Sequence, residues 1–505
     1  MSVLLGSHLS LDTFIQVATH HAPLAFSKEY QNRVTRSREL IEQAISENRA
    51  IYGVTTGFGS LSTRCIDKTD MEKLQENIIL SHACSVGAPL TIPQVRGIML
   101  MMLQNLGQGH SGVRLILLER IAQLLNRGLT PYVPGEGSVG YLSLEAHIAL
   151  VLLGKGKAYY KGELLLGNEA LQQAGISPIT LAAKEGLALI SGTTSPTALS
   201  ALALHDMLVA AKSADIIACL SLEVQKGVLN AFDPRVIATR PHKGQMQVAE
   251  NVRNILANSG ILEHYKGQRL QDALSLRAIS QLHGATKENL EQAKKTIEIE
   301  MNSCCDNPQI FEENNEPIVI SACNCDSSYV GLSMDSAAIA VTLLGKISER
   351  RTSRLLDEHL SGYPAFLVKN PGLNSGLMIP QYTQAGLLNE MRVLAHPATI
   401  DNTPTCAGQE DYVAMGYTAA KKAGKVSQHL QYILAIELLT AVEAYEFLPK
   451  DLSPAPVTAA VIAEVRKFVS KIEEDRFLGD HIHQLMTFIQ DGSLLNVVLE
   501  IVEVI

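Results

Sequence analysis

Long stretches of apolar residues at helical spacing dominate the second half of the chain. In each stretch the apolar side chains recur every three or four residues, a pattern that predicts a helix with one buried face. The stretches cover 197–227, 287–302, 329–357, 380–393 and 412–447. The pattern therefore predicts a bundle of long antiparallel helices at the centre of the molecule.

Residue types that cap helix N-termini precede two of these stretches. Asp326, Ser327 and Ser328 come just before the third stretch, and Asp411 comes just before the last. Short polar side chains of this kind accept hydrogen bonds from the first free N–H groups of a helix. We therefore expect helices to begin close to these two positions.

The two ends of the chain differ from this helical centre. Residues 1–195 mix helical periodicity with loops punctuated by glycine and proline, and such loops often carry chemistry. The C-terminal segment follows a Ser-Pro-Ala-Pro run and returns to amphipathic helical spacing. The sequence predicts a mostly α fold in three domains: a loop-rich N-terminal domain over 1–195, the helix bundle over 196–452 and a helical cap over 453–505.

Composition and charge exclude several classes of function. The 505 residues are 46% hydrophobic and 18% charged with a net charge of -9, so neither disorder nor a nucleic-acid partner is expected. The N-terminus lacks the basic and apolar regions of a signal peptide, and charged residues interrupt the long apolar run over 197–227, which argues against a membrane span. Eight scattered cysteines without zinc-ligand spacing fit reduced thiols in the cytoplasm and no metal site.

One segment of the N-terminal part stands out by its order of residues. Residues 137–147 read Gly-Ser-Val-Gly-Tyr-Leu-Ser-Leu-Glu-Ala-His. Further blocks follow in a fixed order along the chain: Tyr-Gly-Val-Thr-Thr-Gly-Phe-Gly (52–59), Leu-Ser-His-Ala (80–83), Glu-Gly-Leu-Ala-Leu (185–189), Arg-Pro-His-Lys-Gly-Gln (240–245), Gln-Asp-Ala-Leu-Ser-Leu-Arg (271–277), Asn-Ser-Gly-Leu-Met-Ile (374–379) and Gln-Glu-Asp-Tyr-Val-Ala-Met-Gly (409–416). Together these blocks resemble the aromatic amino acid ammonia-lyases, the family of histidine and phenylalanine ammonia-lyases.

The resemblance implies roles for two residues that handle the amino acid backbone. Tyr52 matches the family tyrosine that takes the β-proton, and a phenol needs a lowered pKa to act as this base. Arg277 matches the position that holds the substrate carboxylate, which a planar guanidinium can bind through two parallel hydrogen bonds. Without the resemblance, Tyr52 would be a tyrosine packed beside a turn and Arg277 a structural ion pair.

Two further matches concern the substrate side chain. His82 and Glu410 correspond to residues that face the imidazole ring in the histidine enzymes of the family, and phenylalanine enzymes do not need that carboxylate. Glu410 therefore indicates a substrate ring with N–H donors. The alternatives are a core histidine, and a glutamate favoured by the dipole in the first turn of the helix expected near Asp411.

The chain departs from the family around one group. In the family the Gly-Ser-Val-Gly run is followed by Ala-Ser-Gly, which cyclises into an electrophilic methylidene-imidazolone (MIO), but here Tyr141 follows Gly140 directly. Four residue changes surround the gap: Ser191 stands for an Asn, Leu274 for a Tyr, Tyr141 for an Asp, and Cys325, beside Asn324, for a Phe. If the modified residue had merely been omitted when the sequence was written, these four neighbouring residues would still match the family. Since they do not, we expect no MIO and no other cofactor.

This expectation has a consequence for the substrate. A trimethylammonium group is already cationic and needs no electrophile to leave, so the chain resembles an MIO-free branch of the family, ergothionase, which eliminates trimethylamine from the imidazole betaine ergothioneine to give thiourocanate. Tyr141, Ser191, Leu274 and Asn324 would line the space left by the gap. Tyr141 would offer a π face to the cation.

Two other functions remain open from the sequence. The chain is otherwise an MIO-dependent histidine ammonia-lyase that gives urocanate and ammonia, or a non-catalytic relic acting as an assembly or binding protein. For the trimethylamine elimination, hercynine, the imidazole betaine without the sulfur, is the alternative substrate to ergothioneine. Family resemblance also implies a homotetramer whose active sites take residues from more than one copy.

Overall fold

The computed structural model describes residues 2–504 and confirms the mostly α fold class, with 59% of residues in helices. The α-helices are α1 Leu11–Ala18, α2 Lys28–Ser46, α3 Met71–His82, α4 Ile92–Leu106, α5 Leu115–Arg127, α6 Ser143–Leu152, α7 Gly167–Gln173, α8 Glu185–Ile190, α9 Thr194–Val224, α10 Pro234–Ala238, α11 Lys243–Ile255, α12 Gly260–His264, α13 Leu274–Arg277, α14 Ile279–Met301, α15 Ser328–Leu356, α16 Glu358–Ser361, α17 Met378–Leu394, α18 Gly416–Tyr445, α19 Pro456–Val465, α20 Gly479–Gln490 and α21 Ser493–Leu499.

Short strands pair locally between the helices of the first 320 residues. They are β1 Val3–Leu5, β2 Leu24–Phe26, β3 Val86–Pro89, β4 Thr130–Pro131, β5 Pro134–Glu136, β6 Lys157–Tyr160, β7 Glu163–Leu166, β8 Gln309–Glu313 and β9 Glu316–Ile320. β1 and β2 run parallel, whereas β3–β5, β4–β6–β7 and β8–β9 are antiparallel. Each sheet has only two or three strands, so these ribbons fix loops and leave the core to the helices.

The described chain divides into two compact units, each built from three segments. The first unit comprises Met1–Leu202, Lys294–Asp335 and Pro397–Lys421. The second comprises Ala203–Ala293, Ser336–His396 and Lys422–Ile505. The three consecutive domains expected from the sequence stay a prediction.

All five long helices predicted from the apolar spacing are present, as α9, α14, α15, α17 and α18. The start of α15 at Ser328 agrees with the predicted cap, because the Asp326 carboxylate accepts a hydrogen bond from the Ser328 N–H at 2.9 Å. The start of the last helix is different. α18 begins at Gly416, after Met415 in the left-handed region (φ 52°), so Asp411 does not cap it.

Burial in the first unit is concentrated around α4 and α8. Every residue of α4 from Val95 to Leu106 is buried, and all six residues of α8 are buried. The guanidinium of Arg96 is buried with them, donating to the carbonyl oxygens of Val17 and Leu125. These hydrogen bonds satisfy the charged group inside the core and tie α4 to α1 and α5.

One helix among residues 2–504 is long and apolar enough to cross a membrane, namely α15. Of its most apolar window, 67% is buried inside the protein. Burial of this extent is typical of a core helix, and the apolar composition of α15 is explained by that position.

Candidate active site

The loop after α2 holds Tyr52 in a fixed position. The phenol oxygen of Tyr52 accepts a hydrogen bond from the backbone N–H of Gly59 at 2.7 Å, which closes the Gly-rich loop on itself. Gly59 has φ +56°, and a side chain there would collide with the Cys406 sulfur. The close approach of the two loops therefore requires glycine at this position.

The surroundings of Tyr52 raise its pKa. Burial raises the pKa of Tyr52, the Gly59 N–H opposes that shift, and the nearby groups of Glu410, Cys406 and Cys325 raise the pKa further. The lowered pKa that a phenolate base needs is therefore absent from this arrangement. A positive charge brought by the substrate or by an arginine would supply it.

Glu410 lies in a loop and not in the first turn of a helix. Its backbone carbonyl accepts from the Thr405 N–H at 2.8 Å, and the Cys406 thiol donates to its carboxylate. The second carboxylate oxygen, Oε2, is buried and has no hydrogen-bond partner. Since α18 begins only at Gly416, the helix-dipole alternative for Glu410 is removed, and a buried acceptor is left unsatisfied.

His82 ends α3 as a neutral imidazole. Burial lowers the pKa of His82, and its Nδ1 lies 2.7 Å from the Ile78 carbonyl oxygen, so Nδ1–H is the donor. The Phe58 ring packs edge-on against the imidazole, with 5.8 Å between ring centroids. This tautomer leaves Nε2 as an acceptor.

The segment around the missing tripeptide has an unusual backbone. Gly140 has φ +138°, and Leu142 has φ 78° and ψ -63°, a conformation that costs a residue with a side chain about 1–3 kcal/mol. The Leu142 N–H donates to the Ile190 carbonyl at 3.1 Å. Between them, Tyr141 is half-buried, and burial together with the nearby Cys325 and Glu410 raises its pKa. Tyr141 thus belongs to the same neighbourhood as Tyr52.

Two residues predicted to line the substrate pocket form hydrogen bonds with the backbone of neighbouring loops. The Ser191 hydroxyl oxygen accepts a hydrogen bond from the Asn307 N–H at 3.1 Å, and Ser191 is buried. The Asn324 side chain is exposed and donates to the Cys304 carbonyl at 3.5 Å. Both residues lie in the first unit, and their lining of the substrate pocket stays a prediction.

The second unit carries the two remaining predicted residues, on the short helix α13. Leu274 is 66% exposed. Arg277 has a buried Nε atom without a hydrogen-bond partner. The first unit thus brings Tyr52, Tyr141 and Glu410 together, and His82 contacts the Tyr52 loop through the Phe58 ring. Arg277, in the second unit, carries an unused donor of its own.

Cys406 is a member of this neighbourhood that sequence reasoning missed. Cys406 and Ala407 are both left-handed (φ 51° and 54°), which turns the chain so that the thiol reaches the Glu410 carboxylate. Two consecutive left-handed residues without glycine leave no signal in the sequence. Among the described residues, no group of three or more His, Cys, Asp or Glu side chains is placed to hold a metal ion.

Comparison with known proteins defines the class of this helical fold and its site. The sequence model of the aromatic amino acid lyases matches residues 9–467. The chain is 45% identical to a histidine ammonia-lyase of Symbiobacterium thermophilum, over 98% of each chain. The chain belongs to the aromatic amino acid lyase family and is a carbon–nitrogen lyase of that family.

Two solved structures share the whole fold. A histidine ammonia-lyase from Trypanosoma cruzi superposes with a TM-score of 0.93 at 36% identity, covering 100% of this chain and 96% of that one. The ergothionase from Treponema denticola superposes with a TM-score of 0.91 at 26% identity, covering 98% and 100%. Identity with the histidine enzymes is thus clearly higher.

These comparisons show that two predictions from the sequence are wrong. The expected trimethylamine elimination from ergothioneine is overturned, because relatives that are 41–45% identical over nearly their full length are named histidine ammonia-lyases. The expected absence of MIO is contradicted by the same relatives, since histidine ammonia-lyases use that group. The prediction of a trimethylamine leaving group rested on the gap after Gly140, whereas the similarity to histidine ammonia-lyases extends over the whole chain.

The residues of that segment nonetheless do not fit an MIO group. Gly140 is bonded directly to Tyr141, so the Ala-Ser-Gly tripeptide that cyclises in the family is not in the chain. The hydroxyl of Ser191, which the sequence resemblance matches to a family Asn, is engaged by the Asn307 N–H. This segment therefore departs from the family pattern that the sequence resemblance implies, and the match of Tyr52, His82 and Glu410 to family positions stays a prediction.

Proposed function

We propose that this protein eliminates ammonia from histidine to give urocanate. Its full-length 45% identity to a histidine ammonia-lyase carries the proposal. The local chemistry supports the same substrate class, because the Glu410 Oε2 atom is a buried acceptor without a partner. An imidazole N–H would satisfy that acceptor, whereas a phenyl ring would leave it unsatisfied.

In this proposal the substrate ring is held between two acceptors. The carboxylate of Glu410 accepts one ring N–H, and the His82 Nε2, free of a proton in the neutral tautomer, accepts another. An imidazolium ring has two N–H donors, so this pair favours the protonated ring. The positive ring in turn makes the adjacent β-hydrogens easier to remove.

Tyr52 takes the β-proton, and Arg277 binds the carboxylate. Burial and negative neighbours raise the pKa of Tyr52, so its phenolate forms only beside a positive group. The substrate ammonium supplies such a charge, and as a protonated group it also leaves as neutral ammonia. Binding of the cationic substrate and activation of the base are therefore coupled.

The test is incubation of the purified protein with L-histidine, following urocanate by its absorbance and ammonia by a coupled enzymatic assay. Equal molar amounts of the two products are expected. L-phenylalanine serves as the comparison substrate, since it lacks ring N–H donors, and slower turnover is expected. Release of an amine other than ammonia, or no product from histidine, would overturn the proposal.

Glu410→Gln tests the ring contact. Loss of the charge-assisted hydrogen bond is expected to lower kcat/KM for histidine by about 10- to 100-fold, since such bonds contribute roughly 1.5–3 kcal/mol. Asp411→Asn is the matched control, because it removes the same charge from the exposed neighbouring residue. An equal loss in both variants would assign the effect to the charge of the loop and not to ring binding.

We further propose that the protein is a cytoplasmic homotetramer with composite sites. The free state of all eight cysteines supports a reducing compartment, and the exposed Leu274 beside the unpaired Arg277 Nε supports a missing neighbour at α13. A second copy that covers this helix would bury the leucine and complete the arginine site.

Mixing two inactive variants tests the composite site. Tyr52→Phe and Arg277→Leu chains, dissociated and reassembled together, are expected to recover up to about a quarter of the native activity if each site takes the two residues from different copies. The same variants reassembled separately are the control. Light scattering gives the oligomeric state, and an active monomer or a mixture without recovery would contradict the proposal.

A further inference from the structure

Two cysteines face each other across a tight turn in the wall of the candidate site. The Asp326 N–H donates to the Cys323 carbonyl at 3.2 Å, which places Asn324 and Cys325 at the tip of the turn. The Cys323 and Cys325 side chains are in hydrogen-bonding contact. Cys323 is exposed, whereas Cys325 is partly buried.

The turn is held at both of its ends. On one side the Ala322 N–H donates to the Asn307 carboxamide at 2.8 Å, and on the other Asp326 caps α15 through the Ser328 N–H. With both flanks fixed, the two thiols cannot move far apart. The backbone of the turn therefore keeps the two cysteines close to each other.

Cys325 also belongs to the neighbourhood of the two site tyrosines. Its thiol lies close enough to Tyr52 and Tyr141 to oppose the ionisation of both phenols. Any covalent change at Cys325 therefore changes the surroundings of the proposed base. The exposed Cys323 gives a solvent-borne oxidant access to the pair.

We propose that Cys323 and Cys325 form a reversible disulfide bond that serves as an oxidation site in the wall of the active site. Its expected effect on turnover rests on the proposed lyase function. The oxidant class is a small-molecule disulfide, and neither a metal nor a bound cofactor is required.

The exchange proceeds in two balanced steps. The Cys323 thiolate attacks the small disulfide, forming a mixed disulfide and releasing one small thiol. Cys325 then attacks the Cys323 sulfur, which forms the protein disulfide and releases the second small thiol. Overall two S–H bonds of the protein are oxidised, and one external S–S bond is reduced to two thiols.

The ionisation of Cys325 sets the slower step. Burial raises the pKa of Cys325 to about 12, and the neighbouring Cys323 contributes in the same direction. Because only the thiolate is nucleophilic, closing of the disulfide is expected to become faster as the pH rises. Cys323, which is exposed, therefore makes the first attack.

The experiment exposes the native, reduced protein to glutathione disulfide, blocks the remaining thiols with iodoacetamide and identifies the modified peptides by mass spectrometry. The peptide with Cys323 and Cys325 is expected to lose two hydrogens and to take up no alkyl group, and dithiothreitol is expected to reverse this change. In Cys325→Ser, glutathione should stay attached at Cys323. Cys65→Ser, which removes another exposed thiol, is the matched control and should behave like the native protein.

Two outcomes would overturn the disulfide: alkylation of both cysteines after oxidation, or a stable glutathione adduct at Cys323 in the native protein. Histidine turnover, measured in the same samples, is expected to fall as the disulfide forms and to return with dithiothreitol. If the reduced protein does not turn over histidine, the proposed function fails, and the mass spectrum still decides the disulfide.

Discussion

Tyr52→Phe is expected to reduce kcat for histidine by about 10²- to 10⁴-fold, the range contributed by a positioned general base. The substitution removes only the phenol oxygen, so the shape of the loop is retained. That oxygen also accepts the Gly59 N–H, and its loss leaves one donor unpaired at a cost of about 1 kcal/mol. The loss in rate should therefore greatly exceed any loss in stability.

The pH dependence separates the base from a structural role. Because burial raises the pKa of Tyr52, the native kcat/KM is expected to rise with pH through the neutral range as more of the base is deprotonated. In Tyr52→Phe this rise should disappear. Tyr160→Phe is the matched control, since Tyr160 lies on β6 and its ring face contacts the Lys161 ammonium.

An unchanged kcat in Tyr52→Phe would remove this residue as the base. A loss that the Tyr160→Phe control shared would point to general damage to the fold. Thermal melting of both variants completes the comparison, since a small and similar shift in Tm is expected for each.

Lys184→Met is expected to destabilise the fold by about 3–5 kcal/mol, the cost of removing one partner from a buried ion pair. The Lys184 ammonium lies 2.6 Å from the Asp306 carboxylate, and both side chains are fully buried. Lys184 comes directly before α8, the buried helix that leads to Ser191. Its loss therefore strands a negative charge beneath the candidate site.

Lys155→Met is the control for this substitution. The Lys155 ammonium lies at the same 2.6 Å from the Glu76 carboxylate, but the two side chains are 44% and 45% exposed, so a change of only about 0–1 kcal/mol is expected. Chemical denaturation measures both variants. Asp306→Asn added to Lys184→Met should recover part of the loss, because the stranded charge is removed.

Equal stability of the two lysine variants would contradict the expectation that removing one partner costs more in a buried ion pair than in an exposed one. Backbone strain does not explain a difference between Lys184 and Met. Lys184 has φ 78°, and both residue types carry a Cβ without branching, so the strain is the same before and after the change.

The sequence predicted the helices well because their periodicity is local. α9, α14, α15, α17 and α18 overlap the predicted stretches, because the apolar spacing of one helix face can be seen in consecutive residues. α14 begins eight residues earlier than predicted, at Ile279. Helix α18 begins later than expected. Left-handed Met415 interrupts the backbone before it, and a non-glycine residue of that conformation has no clear sequence signature.

The sequence predicted the family correctly but not the reaction. The ordered blocks were sufficient for the family, but one gap and its neighbours led to the wrong leaving group and the wrong cofactor. The gap concerns a segment of a few residues, whereas the similarity to histidine ammonia-lyases covers nearly the whole chain. Identity to the histidine enzymes over 98% of the length outweighs it.

The sequence by itself determined the helical fold class and the family, and it predicted Tyr52, His82, Arg277 and Glu410 as site residues. Only the tertiary structure decided that Glu410 presents a buried, unpaired oxygen, that His82 is neutral with its proton on Nδ1, and that the pKa of Tyr52 is raised. The reason is physical. The burial and the charges around a side chain depend on residues far apart in the sequence, such as Glu410 near Tyr52, and these contacts exist only once the chain has folded.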